Sequence, residues 1–502
     1  MAARRVNVDR KSSHLRGQCL PDFVDVLIVG AGLSGIGAAA HLQQKCPGKT
    51  YAILEGRGEI GGTWDLFRYP GLRSDSDMFT LGDSFRPWTE AKAIADGPSI
   101  LRYVRDTARE LGIEPHIRFN TRVISARWSS SEKRWLVTAE AGPEKEKREY
   151  TAAFLYICSG YYNYQAGYEP DFPGRADFQG TWIHPQKWPE GLDVSGKKVV
   201  VIGSGATAVT LVPALAKSAK HVIMLQRSPT YITTLPSSDV FANLARKILP
   251  RGLAHKLVRA KNILLAMLFF QVCRRFPNFA RRLIRAGVKK ELPRGFPIDE
   301  HFRPLYAPWD QRVCFVPDAD LFKAIRSGDA TIETARIRSL TRNGITLESG
   351  KSLEADVIVS ATGLDLLALG GIQIFVDDRE MKLSETFTYK GLMLSNVPNL
   401  AICVGYTNAS WTLRADLSSS FVCRLLKQMD RGGYKVVEPR LDAGAMEAVP
   451  ILDLASGYVE RAVDRFPKQG TKAPWHLRQN YLLDFVTMKI SGLDDGTLEF
   501  RK

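Results

Sequence analysis

The chain has 502 residues, 45% of them hydrophobic, and a formal charge of +16. That is enough apolar sequence for two or three packed domains, and too even a mixture for a disordered or fibrous protein. Its seven cysteines (Cys19, Cys46, Cys158, Cys273, Cys314, Cys403 and Cys423) form no CxxC pair, so no disulfide framework and no metal site are expected, and a reducing compartment such as the cytoplasm suits them.

Residues 1–22 carry Arg4, Arg5, Arg10, Lys11 and Arg16 without the apolar stretch of a secretory signal, and read as a disordered lead-in. Order begins with Asp25-Val-Leu-Ile-Val29, a short strand, followed by Gly30-Ala-Gly32-Leu-Ser-Gly35 and a helical stretch to about Lys45. A second strand, Tyr51-Ala-Ile-Leu54, ends in Glu55. Strand, glycine loop, helix, strand and acid in that order make a dinucleotide site, because the glycines let main-chain N–H groups reach a pyrophosphate at the helix N-terminus. Glu55, twenty residues after Gly35, accepts hydrogen bonds from ribose hydroxyls and repels a 2′-phosphate, so this site suits FAD or NAD.

The same grammar returns with Lys198-Val-Val-Val-Ile202, Gly203-Ser204-Gly205-Ala206-Thr207-Ala208, a helix, the strand His221-Val-Ile-Met-Leu225, and then Gln226-Arg227-Ser228. Arg227 stands nineteen residues after Ala208, where a guanidinium, with the Ser228 hydroxyl, suits the 2′-phosphate of NADPH. Two such units in one chain imply two dinucleotides. The expected fold is α/β, with two Rossmann-like dinucleotide-binding domains and a helical insertion in the second. The first domain is expected over 23–165 and 350–502, the second over 166–349, and the insertion over 239–302. Phe154-Leu-Tyr-Ile-Cys-Ser-Gly160 and Asp356-Val-Ile-Val-Ser-Ala-Thr-Gly363 are apolar strands ending in small residues, read as the places where the chain leaves and re-enters the first domain.

Within the insertion, Phe241 to Arg294 holds fourteen Lys and Arg against Glu291 alone. The positive charge therefore belongs to one local surface, and no nucleic-acid partner is expected. Asn262-Ile-Leu-Leu-Ala-Met-Leu-Phe-Phe270 is flanked by Arg259, Lys261, Arg274 and Arg275 and falls short of the roughly 20 apolar residues of a membrane span. It reads either as the packed side of a helical subdomain, as a cover for the substrate pocket, or as a segment lying on an anionic membrane surface.

Between the two glycine loops runs Phe178-x-Gly180-x-x-x-His184-x-x-x-Trp188-Pro189. With Gly61-Gly62-Thr63-Trp64-Asp-Leu-Phe-Arg-Tyr69-Pro70-Gly71-Leu-Arg73-Ser74-Asp75, this makes the chain resemble the class B flavoprotein monooxygenases, and within them the Baeyer–Villiger monooxygenases. Ser74-Asp-Ser-Asp77, Leu225-Gln-Arg-Ser-Pro-Thr230 and Gly405-Tyr-Thr-Asn-Ala-Ser-Trp-Thr412 are similar to the actinobacterial ethionamide-activating subgroup. The resemblance implies FAD in the first domain, NADPH in the second, O2 as co-substrate and a small hydrophobic ketone or sulfide as substrate. The ketone would be converted through a C4a-peroxyflavin to an ester or lactone.

The resemblance also implies roles. Ser34, Glu55, Gly62, Thr63, Trp64, Asp75 and Val123 would contact FAD, while Arg73, Ser74 and Asp75 would lie beside the nicotinamide. The loop from Gly203 to Thr207 would hold the NADPH pyrophosphate. Arg312 corresponds to an active-site arginine that stabilises an anionic peroxide and the oxyanion formed on attack, with Asp75 orienting it. Where many relatives carry a lysine before this arginine the chain has Gln311, which places more of the 2′-phosphate recognition on Arg227. His184 has no carboxylate partner in sequence and reads as a structural or conformational element, Trp188 as packing. Two other readings stay open at this level: an S-oxygenating enzyme acting on thioethers or thioamides, and a non-catalytic flavin and NADPH redox sensor.

Overall fold

A computed structural model of the chain describes residues 23–442, 444–452 and 454–502, so the lead-in expected over 1–22 lies outside the described residues. The first unit is a nine-stranded sheet. Its strand β1 (Phe23–Val29) feeds helix α1 (Leu33–Lys45) and returns as β2 (Tyr51–Leu54), parallel to β1. Short helices α2 (Thr63–Leu66) and α3 (Met78–Leu81) and the longer α4 (Gly97–Glu110) precede β3 (Ile117–Arg118). An antiparallel meander follows, β4 (Thr121–Ser129), β5 (Arg134–Ala141) and β6 (Glu146–Ile157), and β6 closes onto β1 in parallel. β1 and β2 are almost wholly apolar because both of their faces are covered, as parallel strands under helices must be.

The second unit is a five-stranded parallel sheet. It contains β7 (Thr181–Ile183), β8 (Lys198–Ile202), helix α5 (Ala206–Leu215) and β9 (His221–Gln226). A parallel pair, β10 (Ile232–Leu235) with β11 (Cys314–Pro317), brackets helices α6 (Val240–Ile248), α7 (Arg251–Arg275), α8 (Pro277–Glu291) and α9 (Ile298–His301). Helix α10 (Asp320–Ser327) leads to β12 (Ala330–Thr334), a meander of β13 (Ile337–Thr341), β14 (Gly344–Leu347) and β15 (Ser352–Glu354), and finally β16 (Val357–Ser360). The chain then rejoins the first sheet at β17 (Gln373–Val376) and Leu400–Ile402, and helix α11 (Trp411–Gly432) packs across α1.

Two boundaries differ from the sequence expectation. β16 pairs with β8 and β7, so it belongs to the second sheet and the return to the first unit falls after Ser360, not at residue 350. An apolar strand ending in small residues fits either sheet; only pairing assigns it. The insertion, expected to belong to the second domain, straddles both. Ala242, Ala245, Ala254 and Val258 of α6 and α7 are buried in the core of the first unit, whereas Val288 of α8 lies in the core of the second.

The two crossings between units run side by side as an antiparallel ribbon. Leu367 N–H donates to Tyr161 O (2.9 Å), Asn163 N–H to Asp365 O (2.9 Å) and Tyr168 N–H to Gly363 O (3.2 Å).

Candidate active site

A cavity of about 650 Å3 lies where the two units meet, lined among others by Glu55, Gly32, Gly62, Trp64, Asp75 and Arg312. Its floor is the first glycine loop. Gly30 has φ +103°, and a Cβ there would come within 2.7 Å of the Cys158 carbonyl, so the crossing of β1 and β6 requires glycine. Gly35 faces the Gly30 carbonyl and fixes the helix against the strand. Gly32 heads α1 with no side-chain cap, leaving the first-turn amides of the helix to serve an anion.

Glu55 is buried and accepts from Ala31 N–H at 2.7 Å and Arg57 N–H at 2.8 Å. Burial nevertheless pushes its carboxyl pKa up, against those two bonds. Val123 reaches the cavity at a bulge in β4, between Val123 and Ser125. The Ser34 hydroxyl accepts from Trp411 Nε1 at 2.7 Å, and the Thr63 hydroxyl lies 3.2 Å from Tyr164 OH. These elements form a cradle of glycines, one buried carboxylate and uncapped helix amides, which fits the adenosine and pyrophosphate half of a dinucleotide.

Also in the cavity wall, Arg312 leads into β11 and meets Asp75 from the first unit, its Nη2 3.2 Å from Oδ1 and 3.0 Å from Oδ2. The pair is partly open to the cavity. The negative charge of Asp75, more than burial can oppose, raises the proton affinity of Arg312 further, so it is a permanent cation. Arg73 also lines the cavity, but its guanidinium is held by Asp320 of α10 at 2.5 Å, an ion pair between the units. Ser74 is buried and accepts from Ser76 N–H at 2.9 Å, which shapes the turn that presents Asp75. Cys314 is buried two residues beyond Arg312, and burial pushes its thiol up to about 12.

The second glycine loop is only partly inside the cavity. Ala206 and Thr207 line it; Gly203, Ser204, Gly205 and Ala208 do not. A Cβ on Gly205 would meet nothing within 4 Å, and Gly205 heads α5 with no side-chain cap, so the loop offers free amides on an open face. Ser204 Oγ is 2.8 Å from Thr230 Oγ1. Arg227 and Ser228 are exposed just beyond β9, and Arg227 forms no ion pair among the described residues.

The linker motif sits outside the cavity. Phe178 is buried against Gly180, which leads into edge strand β7. His184 is a joint between the crossings: Nε2 bonds Gly363 O at 3.1 Å, Nδ1 accepts from Gln186 N–H at 3.2 Å, and a Cβ on Gly167 would lie 1.9 Å from its ring. Those partners require the neutral ring with its proton on Nε2, and burial lowers its pKa accordingly. Trp188 packs on the core of the second unit. Residues that sequence reasoning missed include Tyr161, Tyr162 and Tyr164 on the first crossing, Arg57, and Trp411 at the head of α11. Three tyrosines directly after the β6 strand were the available signal.

Two dinucleotide folds bordering one cavity with a fixed cation define an enzyme that takes two nucleotides. The family model described as "Flavin-binding monooxygenase-like" matches residues 92–430, and an NAD(P)-binding Rossmann-like model matches 28–94. The chain is 53% identical over 484 residues to the FAD-containing monooxygenase EthA of Mycolicibacterium smegmatis, covering 96% of this chain and 98% of that one. It is 49% identical to the probable FAD-binding monooxygenase AlmA of an Acinetobacter species, covering 95% and 96%. Among solved structures it is similar in fold to an oxidized steroid monooxygenase bound to NADP, at 24% identity, 84% and 89% coverage and a TM-score of 0.70. The chain belongs to the flavin-binding monooxygenase-like family.

Proposed function

We propose that this monooxygenase is of the Baeyer–Villiger type, using FAD and NADPH to convert hydrophobic ketones with O2 into esters or lactones. The observation that carries the reading is Arg312, held 3.0 Å from Asp75 in the wall of the same cavity that Glu55 lines. FAD, reduced at the expense of NADPH, supplies the oxygen-transfer chemistry that no side chain possesses. Glu55 holds the ribose of FAD, and the uncapped amides of α1 and α5 take the two pyrophosphates. A ketone attacked by an anionic oxygen becomes an oxyanion, and a preorganised cation that neither gives nor takes a proton stabilises that charge throughout. Asp75 keeps the guanidinium aimed into the cavity, at no cost in reorganisation.

The test is to supply NADPH, isotopically labelled O2, and a hydrophobic ketone and a thioether in parallel. The expected product is an ester or lactone carrying one labelled oxygen. Arg312→Ala is expected to lose roughly 10²- to 10³-fold in ketone turnover while retaining FAD. Sulfoxide formation with the ketone untouched would make the enzyme an S-oxygenase instead, and native ketone turnover in Arg312→Ala would remove the role given to that residue.

A further inference from the structure

The helical insertion turns its apolar side outward. On α6, Val240 is 80% and Ile248 69% exposed, while the small residues Ala242 and Ala245 face the core. On α7, Leu253, Leu257, Leu264 and Leu268 are 47%, 43%, 55% and 61% exposed. At 3.6 residues per turn these four fall within an arc of about 60°, with the buried Cys273 on the far side of the helix and the buried Ala254 and Val258 to one flank, where Leu265 is also 55% exposed. Helix α8 continues the pattern with Phe279 and Leu283, 59% and 54% exposed, and Phe276 at its head, 56% exposed. Soluble helices bury their apolar stripe; three consecutive helices, each packed on the next, that expose one mark an interaction surface.

Charge says which surface it fits. Lys247, Lys256, Arg275, Arg282, Lys289 and Lys290 are exposed on the same helices, and none of them forms an ion pair among the described residues. Apolar rows with an uncompensated basic rim match an anionic lipid interface, where leucine and phenylalanine enter the acyl boundary while lysine and arginine meet phosphate headgroups. No helix among the described residues is long and apolar enough to cross a membrane, so contact is from one side.

The surface also adjoins the active site. A small cavity of about 10 Å3 beside α7, lined by Ile263, Met267, Phe270 and the exposed Gln271, shares Tyr406 and Ala409 with the large cavity. We propose that α6, α7 and α8 dock the enzyme on an anionic membrane surface, with the seam beside α7 facing the lipid. The docking does not depend on which oxygenation the enzyme performs.

The experiment is co-sedimentation of the FAD-loaded full chain with phosphatidylcholine vesicles and with mixed phosphatidylcholine–phosphatidylglycerol vesicles, at low and high salt. Binding is expected to the mixed vesicles, weaker at high salt and on phosphatidylcholine alone. Lys289→Gln with Lys290→Gln should lower partitioning onto the mixed vesicles about 30-fold, from two charges each worth about 1 kcal/mol. Leu264→Gln with Leu268→Gln should lower it on both vesicle types while flavin absorbance and NADPH oxidation persist, which separates lost docking from lost folding. Absence of binding to either vesicle, or binding that neither variant weakens, overturns the proposal. So does a dimer in sedimentation velocity that Leu264→Gln with Leu268→Gln dissociates, since the face would then be an interface between copies.

Discussion

Arg227 is exposed at the end of β9 with no ion-pair partner among the described residues, in the same unit as the uncapped N-terminus of α5. A charge-assisted bond to a 2′-phosphate contributes about 1.5–3 kcal/mol. Arg227→Ala should therefore lower the preference for NADPH over NADH by about 10- to 100-fold, read as the ratio of kcat/KM values. An unchanged ratio would assign the 2′-phosphate to another residue. The positions of Glu55 and Arg227, each directly after the second strand of its unit, were legible in the sequence because each stands at a fixed spacing from its own glycine loop. Tyr161, Tyr164 and Trp411 were not, because a run of tyrosines after β6 does not say that the crossing lines a cavity, and Trp411 comes from a helix some 250 residues further on.

Helix α7 shows the same division at the scale of an element. Its helicity and basic character are readable, yet Arg259, one of the fourteen basic residues in the stretch, is no surface charge. It is buried, donates to Phe79 O at 2.9 Å and Gly82 O at 2.7 Å, and pairs with Asp416 of α11 at 2.9 Å. Asp416 also bonds His41 of α1 at 3.0 Å. Burial works to raise the Asp416 carboxyl, but the bond from His41 and the charge of Arg259 hold it below the ordinary carboxylate range. Arg259 thus ties the insertion to α3 and α11 of the first unit. Arg259→Leu leaves Asp416 buried without its cation and the carbonyls of Phe79 and Gly82 without their donor. It should cost about 3–5 kcal/mol in denaturant unfolding, whereas a substitution at the exposed Lys256 should change little.

For the whole molecule, stability depends on pH through buried and part-buried histidines: His184 at the joint between the units, His255 on α7 and His301 on α9. His184, His255 and His301 are all held below the ordinary histidine value, in each case chiefly by burial. A histidine with a depressed folded pKa stays neutral in the native state while the unfolded chain takes up the proton. Stability is therefore full above about pH 6.5 and falls as the pH drops through that value. Thermal unfolding followed from pH 7.5 down to about pH 5.5 should show this decline. His184→Gln should reduce its slope by about one proton; an unchanged slope would mean that His184 is charged in the folded state.

The sequence by itself determined the two dinucleotide units, their order and the helical nature of the insertion. All of these are written in spacings within a few dozen residues, where period and loop length suffice. Only the tertiary structure decided that β16 belongs to the second sheet, that α6 and α7 rest on the first unit with their leucines outward, and that Asp75 and Arg312 meet at 3.0 Å. The physical reason is that strand partnership, the direction of a helix face and the meeting of charges 237 positions apart are properties of packing between distant segments, set by which arrangement buries the most surface with every buried polar group paired.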